Sequence, residues 1–486
     1  MLRKRNSDAT PVIPRYQARR ACPMRKTLLQ RSFSDGYGAT EVLSAVNLLD
    51  IIDYPRIRYA DWSEDGIIGQ CLAGRPLPHG QYAFAVAHGG SIRLARDPIG
   101  CNKLFFGLTS EGRLVAGNRA VQVWRRGVPL AAIGSCPPGH VLEVSRAGVR
   151  DLGGSDVSAI PPDSGVSVAE LAAGSRAFLE QAFQWLASEF KGCRFVVCLS
   201  GGLDSSIIAS FAAIHLSNVF AASFTYLDHN DLQRHALGGA VAGLTVSEDF
   251  RCAAAVAGAL ELPLLSVVRS REAVAGAVQT SVHLCQDWRD FNVHCATVNL
   301  FLAQDIRAAF PGERVVVLTG DLMNEYICDY QQERVGDMIY YKLPRIAVDK
   351  RRKYFVRGLD AGDREIGVFS AYGLTVCQPF AVLAELYMRI PAPMLERSDL
   401  KWALNGALLA PQVTAHVNRA KTRAQVGGKD MGTLGLYHRL GVGEAQLRRA
   451  WQAQFPTERP ETCDDFIQFG RYKAPRYTHG QGVAGG

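Results

Sequence analysis

The stretch Ser200-Gly201-Gly202-Leu203-Asp204-Ser205-Ser206 gathers the groups that a pyrophosphate needs. Two glycines let backbone N–H groups come close to an anion. Three serines add hydroxyl donors, and Asp204 can hold a magnesium ion against phosphate oxygens. The apolar run Phe195–Leu199 before it reads as a buried strand. After it, Ile207, Ile208, Phe211 and Ala212 begin the apolar face of a helix. A strand–turn–helix of this kind aims the unpaired N–H groups and the positive end of the helix dipole at the turn. No lysine follows the glycines, so the loop is not the kind that grips a terminal phosphate for transfer.

The motif SGGLDSS resembles the PP-loop of ATP pyrophosphatases, which split ATP into AMP and pyrophosphate. The resemblance implies that Leu199, Ser200, Gly201, Gly202, Asp204, Ser205 and Ser206 hold ATP and its pyrophosphate, with Asp204 on Mg²⁺. Three later segments extend it. Leu318-Thr319-Gly320-Asp321-Leu322-Met323-Asn324-Glu325 is similar to the "LSG(E/D)GGDE" stretch of asparagine synthetases and β-lactam synthetases. It implies ATP contact at Gly320, a reaction-centre acid at Asp321 that can serve as general base, and Asn324 where the family holds metal with an aspartate. An amide oxygen ligates magnesium but lacks the charge, so the expectation is either weaker binding at Asn324 or a share of the task for Asp321 or Glu325.

Ala371–Phe380 is similar to the family's "GLEvRxPFLD" stretch, which implies acceptor-pocket roles for Tyr372 and Thr375. Thr375 stands where the family has glutamate, so the tyrosine–glutamate dyad of β-lactam synthetases does not carry over. Asn418–Gly428 resembles the late loop that brings a lysine to the α-phosphate and the developing oxyanion. Lys421 is the expected catalytic cation and Arg423 a second phosphate ligand. Gln286–His294 is dense in polar groups, and Asp287 and Asp290 are candidate substrate contacts, although buried polar clusters are usually structural.

These residues must be positioned by alternating strands and helices, which predict a parallel sheet. Strands are expected at Val219–Thr225, Leu264–Val268 and Val315–Leu318, and helices at Val166–Phe190, Ala253–Leu260 and Cys295–Phe310. Ligands of such sheets lie at the carboxyl ends of the strands, which adds Phe224 to the candidate ATP contacts. Residues 80–145 are β-rich and carry Ala95-Arg96-Asp97-Pro98-Ile99-Gly100 and Pro137-Pro138-Gly139-His140. They resemble the amino-terminal glutaminase domain of asparagine synthetases, a β-rich sandwich of the Ntn type. That domain uses a cysteine directly after the initiator methionine. The sequence here starts Met1-Leu2-Arg3 and contains no Met-Cys-Gly, so glutaminase chemistry is not expected.

The expected division is a basic tail at 1–35, a degenerate glutaminase-like unit at 36–152, a synthetase unit at 165–450 and a tail at 451–486. The fold class is therefore α/β with an added β-rich sandwich. At 486 residues and 48% hydrophobic content the chain has ample core. The formal charge of +8 comes without a nucleic-acid module and suits anionic ligands such as ATP. Twelve cysteines without metal spacing read as reduced thiols. No membrane span, no secretory signal and no nucleic-acid partner are expected; a homodimer is left open, and the location expected is cytoplasmic.

The function these features predict is an AMP-forming carbon–nitrogen ligase using ATP and Mg²⁺, joining a small carboxylate to an amine in specialised metabolism, as in antibiotic-like products. Ammonia-dependent asparagine synthesis, peptide cyclisation and a non-catalytic nucleotide-binding role remain alternatives.

Overall fold

The structure is a computed structural model. It describes residues 40–42, 73, 80–88, 90–154, 157–236, 246–330, 333–335, 338–340, 345–359, 361–417, 436–437, 441–468 and 471–472. The expected tail at 1–35 lies outside them.

Two four-stranded sheets form the amino-terminal part. One contains β1 (Thr40–Val42), β4 (Phe105–Leu108), β5 (Leu114–Gly117) and β6 (Gly134–Ser135) in the order β1-β5-β4-β6. The other is β2 (Ala83–His88), β3 (Ser91–Arg96), β7 (His140–Ser145) and β8 (Gly148–Gly154), in chain order and antiparallel. Alternate residues Ala83, Ala85, Ile92, Leu94, Leu142 and Val144 meet Phe106, Leu114 and Ala116 in a shared core, as period-two strands require. The Asp97 carboxylate gathers the N–H groups of Ile99, Gly100, Cys101 and Asn102 at 2.7–3.2 Å. Arg96 donates to the carbonyls of Gly100, Asn102 and Cys136. This turn is a buried structural knot.

The rest is built on a five-stranded parallel sheet of β9 (Arg194–Cys198), β10 (Val219–Leu227), β11 (Leu264–Ser270), β12 (Val315–Leu318) and β15 (Thr375–Cys377), in the order β11-β10-β9-β12-β15. A short hairpin of β13 (Glu333–Val335) and β14 (Met338–Tyr340) stands apart from it. β12 is a Val-Val-Val-Leu run buried at every position, the pattern of a central parallel strand covered on both faces. The chain runs outward from β9 to β11, then returns to place β12 on the other side of β9. The strand order reverses between β9 and β12, and a crevice opens there at the strands' carboxyl ends. The stretch Ala371–Phe380 contributes the edge strand β15.

The two parts share one continuous core. Lys103 Nζ donates to Leu359 O at 2.7 Å, Arg119 to Leu284 O and Gly367 O, and Gln286 Nε2 to Asn118 O. The expected tail after 450 is corrected up to Tyr472. Trp451, Phe455, Phe466 and Tyr472 are buried: Phe455 meets Trp451 edge-on, Trp451 stacks on Phe466, and Phe466 and Tyr472 pack against Phe105, which draws these residues into the core.

His294 lies in the Asp290–Ala309 helix, 2% exposed, against the Tyr437 ring. Burial pushes its imidazole down to about 3. An unfolded histidine protonates near pH 6.5, so folding is opposed as pH falls from there towards the folded value. The stability gap between His294→Leu and wild type should shift in favour of the variant by up to about tenfold in the folding constant per pH unit below 6.5. Urea midpoints between pH 4.5 and 7.5 measure it.

Gly201 has a φ of 72°, and a Cβ there would stand 2.4 Å from Cys252 Cβ and 2.5 Å from Ala253 N. Gly202 has an ordinary φ of −75°, with Ser200 Oγ 3.4 Å from such an atom. Gly201→Ala should therefore cost at least about 2 kcal/mol, and Gly202→Ala under about 1 kcal/mol. Equilibrium unfolding of the two variants checks the contrast.

Candidate active site

The phosphate loop leaves β9 at Leu199, whose N–H bonds to Ala222 O at 2.8 Å. Gly201 makes the left-handed turn, and Gly202 caps the Leu203–His215 helix. The serines hold the loop in shape before any ligand enters. Ser205 Oγ lies 3.1 Å from Ser200 Oγ and donates to Gly202 O, while Ser200 Oγ accepts from Gly202 N–H. Ser206 is fully buried, and its hydroxyl has no partner among the described residues. Loop and helix start together form a preset anion cradle.

The second wall is the loop after β12. A Cβ on Gly320 would lie 2.8 Å from Ser205 N and 3.0 Å from the Asp204 carbonyl carbon. Only glycine lets this loop press onto the start of the phosphate-loop helix. Thr319, Gly320, Asp321 and the Met323–Ile327 helix thus face Ser200–Ser206 across the β9/β12 crevice.

Lys401 completes this arrangement, and nothing in its sequence surroundings marks it. It comes from the Leu400–Asn405 helix, far along the chain. Leu400 and Leu404 are buried there, and Asn405 bonds to Tyr387 and to Met323 Sδ. Lys401 Nζ sits 2.7 Å from Asp204 Oδ2, 2.8 Å from Asn324 Oδ1 and 3.1 Å from Asp329 Oδ2. Against the cost of burial, Asp204 and Asp329 raise its pKa, so it stays charged. Asp204 Oδ1 is buried with no partner among the described residues. Three oxygens that already converge on a cation suit Mg²⁺. Among the described residues no three His, Cys, Asp or Glu side chains are grouped to hold a metal, and the set here includes an amide.

Arg364 organises a further acidic cluster at the same crevice. Its Nη2 lies 3.6 Å from Asp321 Oδ1 and 3.9 Å from Glu325 Oε1, and its Nε donates to Glu365. Glu325 also accepts from the Tyr330 hydroxyl. Burial pushes the Glu365 carboxyl up to about 8, against the pull of Arg364. Asp321 and Glu325 thus face Arg364, while Asp329 joins Asp204 and Asn324. The two expected stand-ins for the missing metal charge are engaged elsewhere.

Phe224 extends two residues beyond the register of β9 with β10 and stacks on Phe301 at 5.8 Å, beside the crevice. Thr375 opens β15 in register with Val316, two residues short of the strand's end. Tyr372 precedes that strand and so lies at the amino ends of the strands, away from the crevice. Gln304 Nε2 donates to its hydroxyl, and Arg307 to its carbonyl. It is not part of this site, because parallel strands carry their entry loops away from their exit loops. Asp287 is fully buried and accepts from Arg289 and Asn292, an internal ion pair rather than a substrate contact. Asp290 accepts from Phe291 N–H at the start of its helix, and burial raises its pKa. Lys421 and Arg423 lie outside the described residues.

Residues 191–360 match the family model described as asparagine synthase. No curated protein matches the chain. Among solved structures it is similar to NMN synthetase from Francisella tularensis, at 13% identity over 53% of this chain and 99% of that one, with a TM-score of 0.23. It is also similar to glutamine-dependent NAD+ synthetase from Acinetobacter baumannii, at 12% identity over 70% of this chain and 51% of that one, with a TM-score of 0.27. Similarity at this level does not define an activity. The matched segment is the one that carries both the Ser200–Ser206 loop and the Asp321–Glu325 loop.

Proposed function

We propose that this protein is an ATP-dependent ligase that activates a small carboxylate as its adenylate and passes the acyl group to an amine. The observation that carries the reading is the juxtaposition of the preset anion loop Ser200–Ser206 with the cation-holding set of Asp204, Asn324 and Lys401. Only a ligand that is both polyanionic and cation-bound makes use of both. Asp204 and Asn324 would hold Mg²⁺, which neutralises charge on the leaving pyrophosphate when bound.

A carboxylate oxygen attacks the α-phosphorus, and the α–β bridging bond breaks. The loop N–H groups, Ser205 and Ser200 hold the departing pyrophosphate. An amine then attacks the acyl carbon and AMP leaves, with the amine's proton passing to Asp321. Asp321 and Glu325 outnumber Arg364, and this excess of negative charge beside the crevice suits an incoming ammonium group. Lys421 is assigned the developing oxyanion. The amine is assigned to an acceptor bound at this site rather than to glutamine. Cys101 and Cys136 of the amino-terminal part are buried, and burial pushes the Cys101 thiol well up, which disfavours a thiolate there. A role in specialised metabolism remains part of this proposal.

Incubating the protein with Mg·ATP and a panel of carboxylates, with and without amines, should release AMP and pyrophosphate in equal amounts. Asp204→Asn should lower that release at least about 100-fold. ADP and orthophosphate as products would overturn the reading. Lys421→Ala should lower kcat for amide formation roughly 100- to 1,000-fold, the usual loss for an oxyanion-stabilising group. Its melting temperature should stay unchanged; single-turnover kinetics alongside thermal melts test it.

A further inference from the structure

The cation site has a member that neither the motif nor its spacing indicates. The Met323–Ile327 helix is bracketed by two left-handed residues, Leu322 at φ 83° and Cys328 at φ 58°. In an unbroken helix, positions five apart point roughly 140° away from each other. The left-handed Cys328 ends the helix, and Asp329 N–H returns to bond Asn324 O at 3.0 Å. That turn brings the Asp329 carboxylate beside the Asn324 amide, and both oxygens meet the one ammonium that also touches Asp204.

We propose that Asp329 is the second carboxylate of the divalent-cation site, supplying the charge that Asn324 lacks, with Lys401 occupying the site until nucleotide brings the metal in. The charges argue for it. Asp204 and Asn324 together offer one negative charge, and adding Asp329 gives the two that balance a divalent ion. The oxygens stand 2.7–3.1 Å from the nitrogen. Magnesium draws oxygens to about 2.1 Å, so metal and ammonium cannot share the position. Lys401 has a flexible four-carbon stem and can leave when a polyphosphate offers it another anion. The unpartnered, buried Asp204 Oδ1 leaves one further ligand in reserve.

The inference rests on the ATP reading above, and direct metal binding tests it independently of turnover. Mn²⁺ is titrated by electron paramagnetic resonance into the full chain, with and without inorganic pyrophosphate. With pyrophosphate, Asp329→Asn should weaken Mn²⁺ at least tenfold while thermal melts match wild type. The double variant Asn324→Asp with Asp329→Asn, which moves the charge back, should return to within threefold of wild type. Without pyrophosphate, Lys401→Met should bind Mn²⁺ at least tenfold more tightly than wild type. Unchanged affinity in Asp329→Asn, no recovery in the double variant, or no gain in Lys401→Met overturns the inference. A wild-type protein that binds neither pyrophosphate nor Mn²⁺ with pyrophosphate would instead overturn the ATP reading.

Discussion

Carboxylates gathered in a protein interior need an opposite charge close by, and this crevice meets that need with one ammonium. Asp204 from the phosphate loop, Asn324 and Asp329 from the acidic loop, and Lys401 from a late helix form a single electrostatic unit. Each comes from a different part of the chain or a different side of a turn. The elements around them are therefore constrained together. The Leu400–Asn405 helix must dock where its lysine reaches both loops, and Asn405 fixes that docking through Tyr387 and Met323. A cation held this way also defines the site chemically. It gathers oxygens from three positions onto one hydrogen-bonding nitrogen.

The sheet topology makes this unit possible. Because strand order reverses between β9 and β12, their two exit loops open onto the same crevice without another strand between them. Gly320 then closes the gap, since any side chain would strike the backbone of Asp204 and Ser205. The amino-terminal sheets support the crevice from outside. Lys103 holds the Leu359 carbonyl and Arg119 the Gly367 carbonyl, bracketing the segment that carries Arg364 and Glu365. The Arg96–Asp97 turn places Lys103, so a motif in the β-rich part has its structural effect beside the β9/β12 crevice.

What could be read from the sequence had a local physical cause. Val315–Leu318 is a strand because four consecutive apolar residues, three of them β-branched, have no other economical fold between polar flanks. SGGLDSS specifies its own turn through glycine geometry and serine self-pairing. The amphipathic spacing of the Val168–Glu189 helix and its Ser167–Glu170 capping box likewise lie within one segment. Even the departure at Asn324 was visible, because an amide in place of an acid changes charge at a known position.

The partners were not visible, because contact across the fold leaves no period or spacing in the chain. Lys401 is one lysine among many until its helix packs against Met323. Asp329 belongs to the cation set only because Cys328 turns left-handed and reverses the chain. Tyr372 sits inside a motif-like stretch yet falls at the far end of the strands, since the length of a parallel strand separates its entry loop from its exit loop. Trp451, Phe455 and Phe466 fall in the expected tail, yet Phe466 packs on Phe105, Trp451 on Phe466 and Phe455 on Trp451. The sequence by itself determined the Ser200–Ser206 turn and the strands, through short-range stereochemistry. Only the tertiary structure decided which charges answer one another there, because that depends on burial and on distances between segments far apart in the chain, as Lys401 and Asp204 are.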